Sequence, residues 1–241
     1  MNIVSRRRKG RSLALGPRSP GIGRGPMRCA AHTVSTPSNV TNPALMPHLP
    51  GVFPDYFAPV VRTGSDGVRE LTMARWDMPS PAFALVGKKT DPGVTNVRNA
   101  ASPHWRRWLL PANRCIVPFT SFSENEILQT GSRPPVWFAL DETRPLAFFA
   151  GIWTTWTSIR KIKEGPTTND LFAFLTTEPN EIVAPIHPKA MPVILTKPDE
   201  IKEWLTAPIK EAFRLQRPLP NDALRIVAGG QKQDLAPLGR V

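Results

Sequence analysis

Four side chains stand at spacings that could do chemistry. In "GVTNVRNAASPHW", Asn96 and Arg98 are two positions apart, so in an extended segment both project to one side. An amide beside a guanidinium can orient a polar group and hold a phosphate, although a loop amide making turn bonds next to a surface arginine gives the same letters. "RCIVPFTSFSENE" is an apolar run that ends in Glu124 and Glu126. A carboxylate at the end of a buried strand is partly desolvated and suits general acid-base work; a solvated one does not. "FLTTEPNEIVAPIHPKAMPVIL" places His187 in a turn stiffened by Pro185, Pro188 and Pro192. That rigidity serves proton transfer near neutral pH, and equally a structural histidine. Cys115 lies inside the "RCIVPF" run and reads as a small core residue. A cysteine hydrolase built on Cys115 and His187 is the weakest reading, because a mid-strand thiol is inaccessible.

These residues must be positioned by strands. "RELTMARW" (69–76), "RCIVPFTSF" (114–122), "VWFAL" (136–140), "LAFFAGIWTTW" (146–156), "LFAFLTT" (171–177), "MPVIL" (191–195) and "LRIVA" (224–228) have strand length and β-branched or aromatic content. Helices are few: "PHWRRWLL", "EPNEIVAPI" and "TKPDEIKEWL", the last with Pro198, Asp199 and Glu200 in its first turn. Strands without β-α alternation predict an α+β fold, a bent and mostly antiparallel β-sheet curled towards a barrel with short flanking helices. "WRRW" and "GIWTTWTSIRKIK" interleave tryptophan with cations, which suits base stacking or, more simply, a core.

The chain has 241 residues and a formal charge of +12. Eight of those charges, Arg6, Arg7, Arg8, Lys9, Arg11, Arg18, Arg24 and Arg28, stand in a leader without acids, which leaves the body mildly basic. Residues 1–44 show neither helical nor strand period and are expected to be a disordered basic leader, followed by one domain over 45–230 and a flexible tail over 231–241. The two cysteines, Cys29 and Cys115, and four scattered histidines make no zinc-ligand spacing, and a reducing compartment is expected. "LALG" after the first arginines is too short for an export signal, and no stretch has the length of a membrane span.

In order and spacing, "ARWDMPSP", "TNVRNAASPHW", "NRCIVPFTSFSE", "FAGIW", "FLTTEPN" and "IHPKAMPVIL" resemble the SOS response-associated peptidase (SRAP) family, proteins that crosslink to abasic sites in single-stranded DNA. The resemblance implies a cytoplasmic, nucleoid-associated protein without cofactor, and a monomer is the default expectation. Its partner would be single-stranded DNA carrying abasic sites, and strand-cleaving lyase or peptidase-like self-processing could accompany the crosslink. It also implies that a first-residue cysteine attacks the ring-opened aldehyde with its α-amine and thiol, giving an imine and then a thiazolidine. Carried over by motif, Asn96 orients that cysteine, Glu124 assists ring opening by proton transfer and His187 assists imine chemistry and reversal. Arg98, Thr177 and Lys189 contact DNA.

Three features depart from the family pattern. Asp77 stands where a glycine is usual, and the later tryptophan of that motif is missing. Lys189 is the sole cation of "HPKAMP". Cys29, the candidate nucleophile, follows Arg28 rather than methionine, and removal of Met27 would require a small neighbour. An encoded Cys29 has an amide instead of a free amine, and the alternative function is a non-catalytic single-stranded DNA binder of the same fold. The abrupt change of composition near residues 42–51 is the pattern that a displaced start or a frame shift produces.

Overall fold

The computed structural model describes residues 2–4, 49 and 51–234. Strands β2 (Phe57–Thr63), β3 (Arg69–Trp76), β5 (Arg114–Phe119), β8 (Ala147–Ile159) and β9 (Pro166–Thr177) form a small barrel. The order is β9-β3-β2-β5-β8, and β8 closes on β9. All pairings are antiparallel except β3 with β9. Short strands extend its rim: β4 (Asn96–Val97) runs parallel to β9, β10 (Met191–Pro192) pairs with β9, and β11 (Ile194–Leu195) pairs with β8.

The β9 run "LFAFL" is continuously apolar because both faces of the barrel wall are covered. Phe172 and Phe174 pack with Trp76, Phe149, Phe122 and Phe138. Their neighbours Leu171, Ala173 and Leu175 face the other way, against Trp105, Trp108, Trp204 and Leu205. The tryptophans at 105 and 108 are therefore core, with Arg107 lying over Trp108 and Trp156. Helix α1 (Pro198–Thr206) starts as its proline and acids predict. The Glu200 carboxylate accepts from the N–H groups of Thr196 and Lys197, and the Trp204 indole donates to the carbonyls of Cys115 and Gly151. A second short helix, α2 (Ile209–Ala212), follows.

Four expectations change. "RCIVPFTSF" is two strands: after β5 the chain bends at Thr120 and enters β6 (Ser121–Asn125), which belongs to a second sheet. The other members are β1 (Asn2–Val4), β7 (Pro135–Ala139) and β12 (Arg225–Gly229), in the order β1-β6-β7-β12, with β7 and β12 antiparallel. The stretch read as a leader therefore contains a strand. Asn2 accepts from the hydroxyls of Thr120 and Ser121 and donates to the Asp234 carbonyl, and Ile3 is buried in the core. Nor are residues 231–234 a tail, because Asp234 is buried and ion-paired with Arg144, and the Gln231 carbonyl accepts from Trp137. Finally, "PHWRRWLL" forms only one 3-10 turn, Arg106–Trp108, and "EPNEIVAPI" folds into consecutive turns, where Pro185 removes an N–H group that a longer helix needs. Among the described residues no helix is long and apolar enough to cross a membrane.

Candidate active site

Glu124 is positioned by strand alternation. It lies on the same face of β6 as Phe122, whose partner across the ladder is Phe138, while Glu124 itself opposes Val136. The carboxylate thus ends an apolar row and is 7% exposed, a desolvated acid rather than a solvated one. Its Oε2 is 3.7 Å from Nδ1 of His187.

His187 is fixed by its own turn. Its backbone N–H donates to the Val183 carbonyl, and Nδ1 lies 2.8 Å from the Ala190 carbonyl. A carbonyl only accepts, so Nδ1 carries a proton and the lone pair of the neutral ring sits on Nε2. The half-buried ring can therefore take or give a proton through Nε2 while Nδ1 stays tethered between Ala190 and Glu124.

Asn96 and Arg98 leave the barrel wall from β4. Asn96 is opposite Phe174 of β9, and its Oδ1 is buried without a hydrogen-bond partner among the described residues. An amide oxygen in that state is poised for a donor such as an amine. The Arg98 guanidinium spends Nη1 on two backbone carbonyls, Thr177 at 2.8 Å and Lys189 at 2.6 Å. One residue thereby ties the end of β9 to the histidine turn, while its Nε/Nη2 edge is left for a bidentate anion. Thr177 is buried, and its hydroxyl donates to Glu178. Together with the Glu178 backbone N–H, the larger cause, it holds that carboxyl below its usual range. Lys189 is exposed, and its backbone rather than its amine makes the contact with Arg98.

Of the residues expected to act, direct contacts join Glu124 to His187 and Arg98 to the His187 turn and Thr177, while Asn96 is joined through Arg98. Cys29 lies outside the described residues. Cys115 is fully buried and its thiol is pushed far above the ordinary range by desolvation. A Cβ on the facing Gly151 would come within 2.9 Å of its sulfur, so Cys115 packs the wall and is no nucleophile. The sequence reading missed Gln216, whose Nε2 donates to the carbonyls of Arg98 and Thr176 and so locks the Arg98 segment to β9. Its local sequence, "RLQRPLP", carries no signal of this, because both acceptors are far away in the chain.

The fold is similar to that of solved proteins. A Bordetella bronchiseptica protein matches with a TM-score of 0.56 and 24% identity, over 72% of this chain and 84% of that one. A Bacteroides thetaiotaomicron protein matches with a TM-score of 0.54 and 22% identity, over 71% and 72%. These likenesses concern the fold. The family model described as SOS response associated peptidase (SRAP) matches residues 29–229, and the chain belongs to that family. Among curated relatives, the Bacillus subtilis abasic site processing protein YoqW is 36% identical over 124 residues, half of each chain. Abasic site processing proteins YoaM and YobE of the same organism are 37% and 35% identical over 43% and 52% of this chain and 41% and 53% of theirs. The chain spans about half the length of the curated relatives it matches.

Proposed function

We propose that this protein binds single-stranded DNA and links covalently to abasic sites through Cys29, provided that Cys29 is presented as the first residue of the chain. The observation that carries the reading is the acid-histidine pair of Glu124 and His187, tied by Arg98 to a segment whose Asn96 oxygen is buried and, among the described residues, without a hydrogen-bond partner. The relatives' printed names and a family match whose first residue is Cys29 support it.

Glu124 delivers a proton to the ring oxygen as the deoxyribose opens to its aldehyde. The cysteine α-amine adds to that carbon, water leaves to give the imine, and the thiol adds to close a thiazolidine. His187 takes a proton onto Nε2 as the amine adds and returns it to the hydroxyl that leaves as water. The Asn96 oxygen accepts from the attacking amine, and Arg98 offers its outer edge to a flanking phosphate, with the Lys189 ammonium as a second, point-like charge. In the uncut chain the basic residues from Arg6 to Arg28 add sequence-independent affinity.

A specific observation favours a second reading for the uncut chain. Arg28 separates Met27 from Cys29, so the encoded cysteine lacks a free amine, and the chain in that form is a binder. The experiment is incubation with single-stranded DNA carrying one abasic site, followed by denaturing electrophoresis, for the encoded protein and for a form beginning at Cys29. The trimmed form should give a heat-stable adduct that Cys29→Ser abolishes. An adduct of equal yield from the encoded Cys29→Ser variant would sink the nucleophile assignment. An unchanged rate in a folded Glu124→Gln, His187→Gln double variant of the trimmed form would sink the acid-base roles.

A further inference from the structure

Between Met78 and Val94 the chain makes an excursion that the site does not use. Its neck is closed by reciprocal backbone bonds, Met78 N–H to Val94 at 2.9 Å and Val94 N–H to Met78 at 2.8 Å. Asp91, buried, accepts from the N–H groups of Ser80 and Gly93, and its own N–H donates to Ile159 at the end of β8. The excursion is therefore a fixed platform and not a loose loop.

At its tip, in the 3-10 turn Ala82–Leu85 and just after it, Phe83 and Val86 are each 81% exposed. All eleven phenylalanines lie within the described residues, and Phe83 is the one that is exposed. Lys88 and Lys89 follow, both exposed, and residues 78–90 contain no acid. Across the Asp91–Ile159 bond, the β8–β9 turn adds exposed Ile162 and Lys163. Lys161 in that turn is already ion-paired with Glu164 and Asp55.

We infer that this face is a base-stacking platform for unpaired nucleotides flanking the candidate site, with the Phe83 ring under a base and Lys88, Lys89 and Lys163 on phosphates. Every base presents a π-face, so an exposed ring beside cations binds single strands without reading their sequence. The location fits, because the neck residue Val94 is two positions before Asn96. The inference rests on single-stranded DNA being the ligand.

The test measures binding of the full chain to a single-stranded oligonucleotide of about 16 nucleotides without any abasic site, a length at the upper end of a single-strand footprint. A second ligand of the same length carries tetrahydrofuran units in place of nucleosides, which keeps the phosphates and removes both bases and aldehydes. Phe83→Ala should weaken binding to the first about five-fold or more and leave the second unchanged, with Phe83→Trp restoring affinity. Lys88→Ala, Lys89→Ala together should lower the salt dependence of binding to both by about 0.7 for each phosphate left without its lysine. Equal affinity of Phe83→Ala and wild type for the base-containing strand overturns the inference, as does an equal loss on the baseless strand. Loss in Phe83→Ala of binding to phosphatidylserine vesicles, with oligonucleotide affinity intact, reassigns the face to a lipid surface. Failure of the wild type to bind either oligonucleotide removes the DNA reading itself.

Discussion

The backbone of Asp77 has φ 135, a conformation that side chains with a Cβ rarely adopt. Two features hold it there. Its carbonyl accepts from Nη2 of Arg160 at 2.6 Å, and its carboxylate, after that of Asp91 and ahead of that of Asp55, is one of three that stabilise the buried Arg160 guanidinium. The opposite wall is Gly93, where a Cβ would fall 2.5 Å from the Asp77 Cβ and 2.0 Å from Arg160 Nη1. This cluster sets the angle at which the chain enters Val94 and Asn96. Asp77→Ala removes the carboxylate and keeps the strain. It should cost about 2 kcal/mol, below the roughly 3–5 kcal/mol of a broken buried pair because Asp91 remains. Asp77→Gly loses the same carboxylate but relieves about 1–2 kcal/mol of backbone strain, offset by about 0.5 kcal/mol of added freedom in the unfolded chain. The glycine variant should therefore be the more stable of the two by about 1 kcal/mol, a melting difference of about 2–4 °C for a protein of this size. Urea unfolding of both variants, checked by circular dichroism, measures it. If Asp77→Ala equals or exceeds Asp77→Gly, the backbone at position 77 is not under strain and the argument fails.

Three other outcomes follow from single residues. Arg114 is completely buried and donates to the carbonyls of Leu109, Trp204 and Ala207, so Arg114→Met should cost about 3 kcal/mol and free the end of α1, seen as faster hydrogen exchange over 198–206. In a Cys29→Ser background the native protein should show no thiol reactive to a disulfide reagent, because burial keeps Cys115 protonated, and reactivity should appear only on unfolding. His104 has its affinity for a proton lowered mainly by burial, with the Pro79 carbonyl partly offsetting this and Arg107 adding to it. The unfolded chain then binds the proton first, so stability should fall as pH drops through ~6.5 and recover above it. In His104→Gln, chemical denaturation curves collected across that range should lose this part of the slope.

Much of the site was legible locally. The period of a strand is a property of neighbouring residues, so "RELTMARW" marks β3 to the residue, and Glu124 ends an apolar row as its position after "RCIVPF" suggests. The proline-stiffened turn around His187 and the capped start of α1 are likewise encoded within a few positions. What the letters could not carry is where separate segments meet. Nothing near Thr120 announces that β6 leaves the barrel for a second sheet, nor that Asn2–Val4 completes that sheet from the far end of the chain. Asn96 and Arg98 share a spacing, but their roles part in three dimensions: one leaves an oxygen buried and open, the other is claimed by carbonyls 79 and 91 residues away. The spacing of side chains within one segment determined which groups could act. Only tertiary packing, which satisfies buried polar groups with whatever partners the topology brings near, decided which of them face one another.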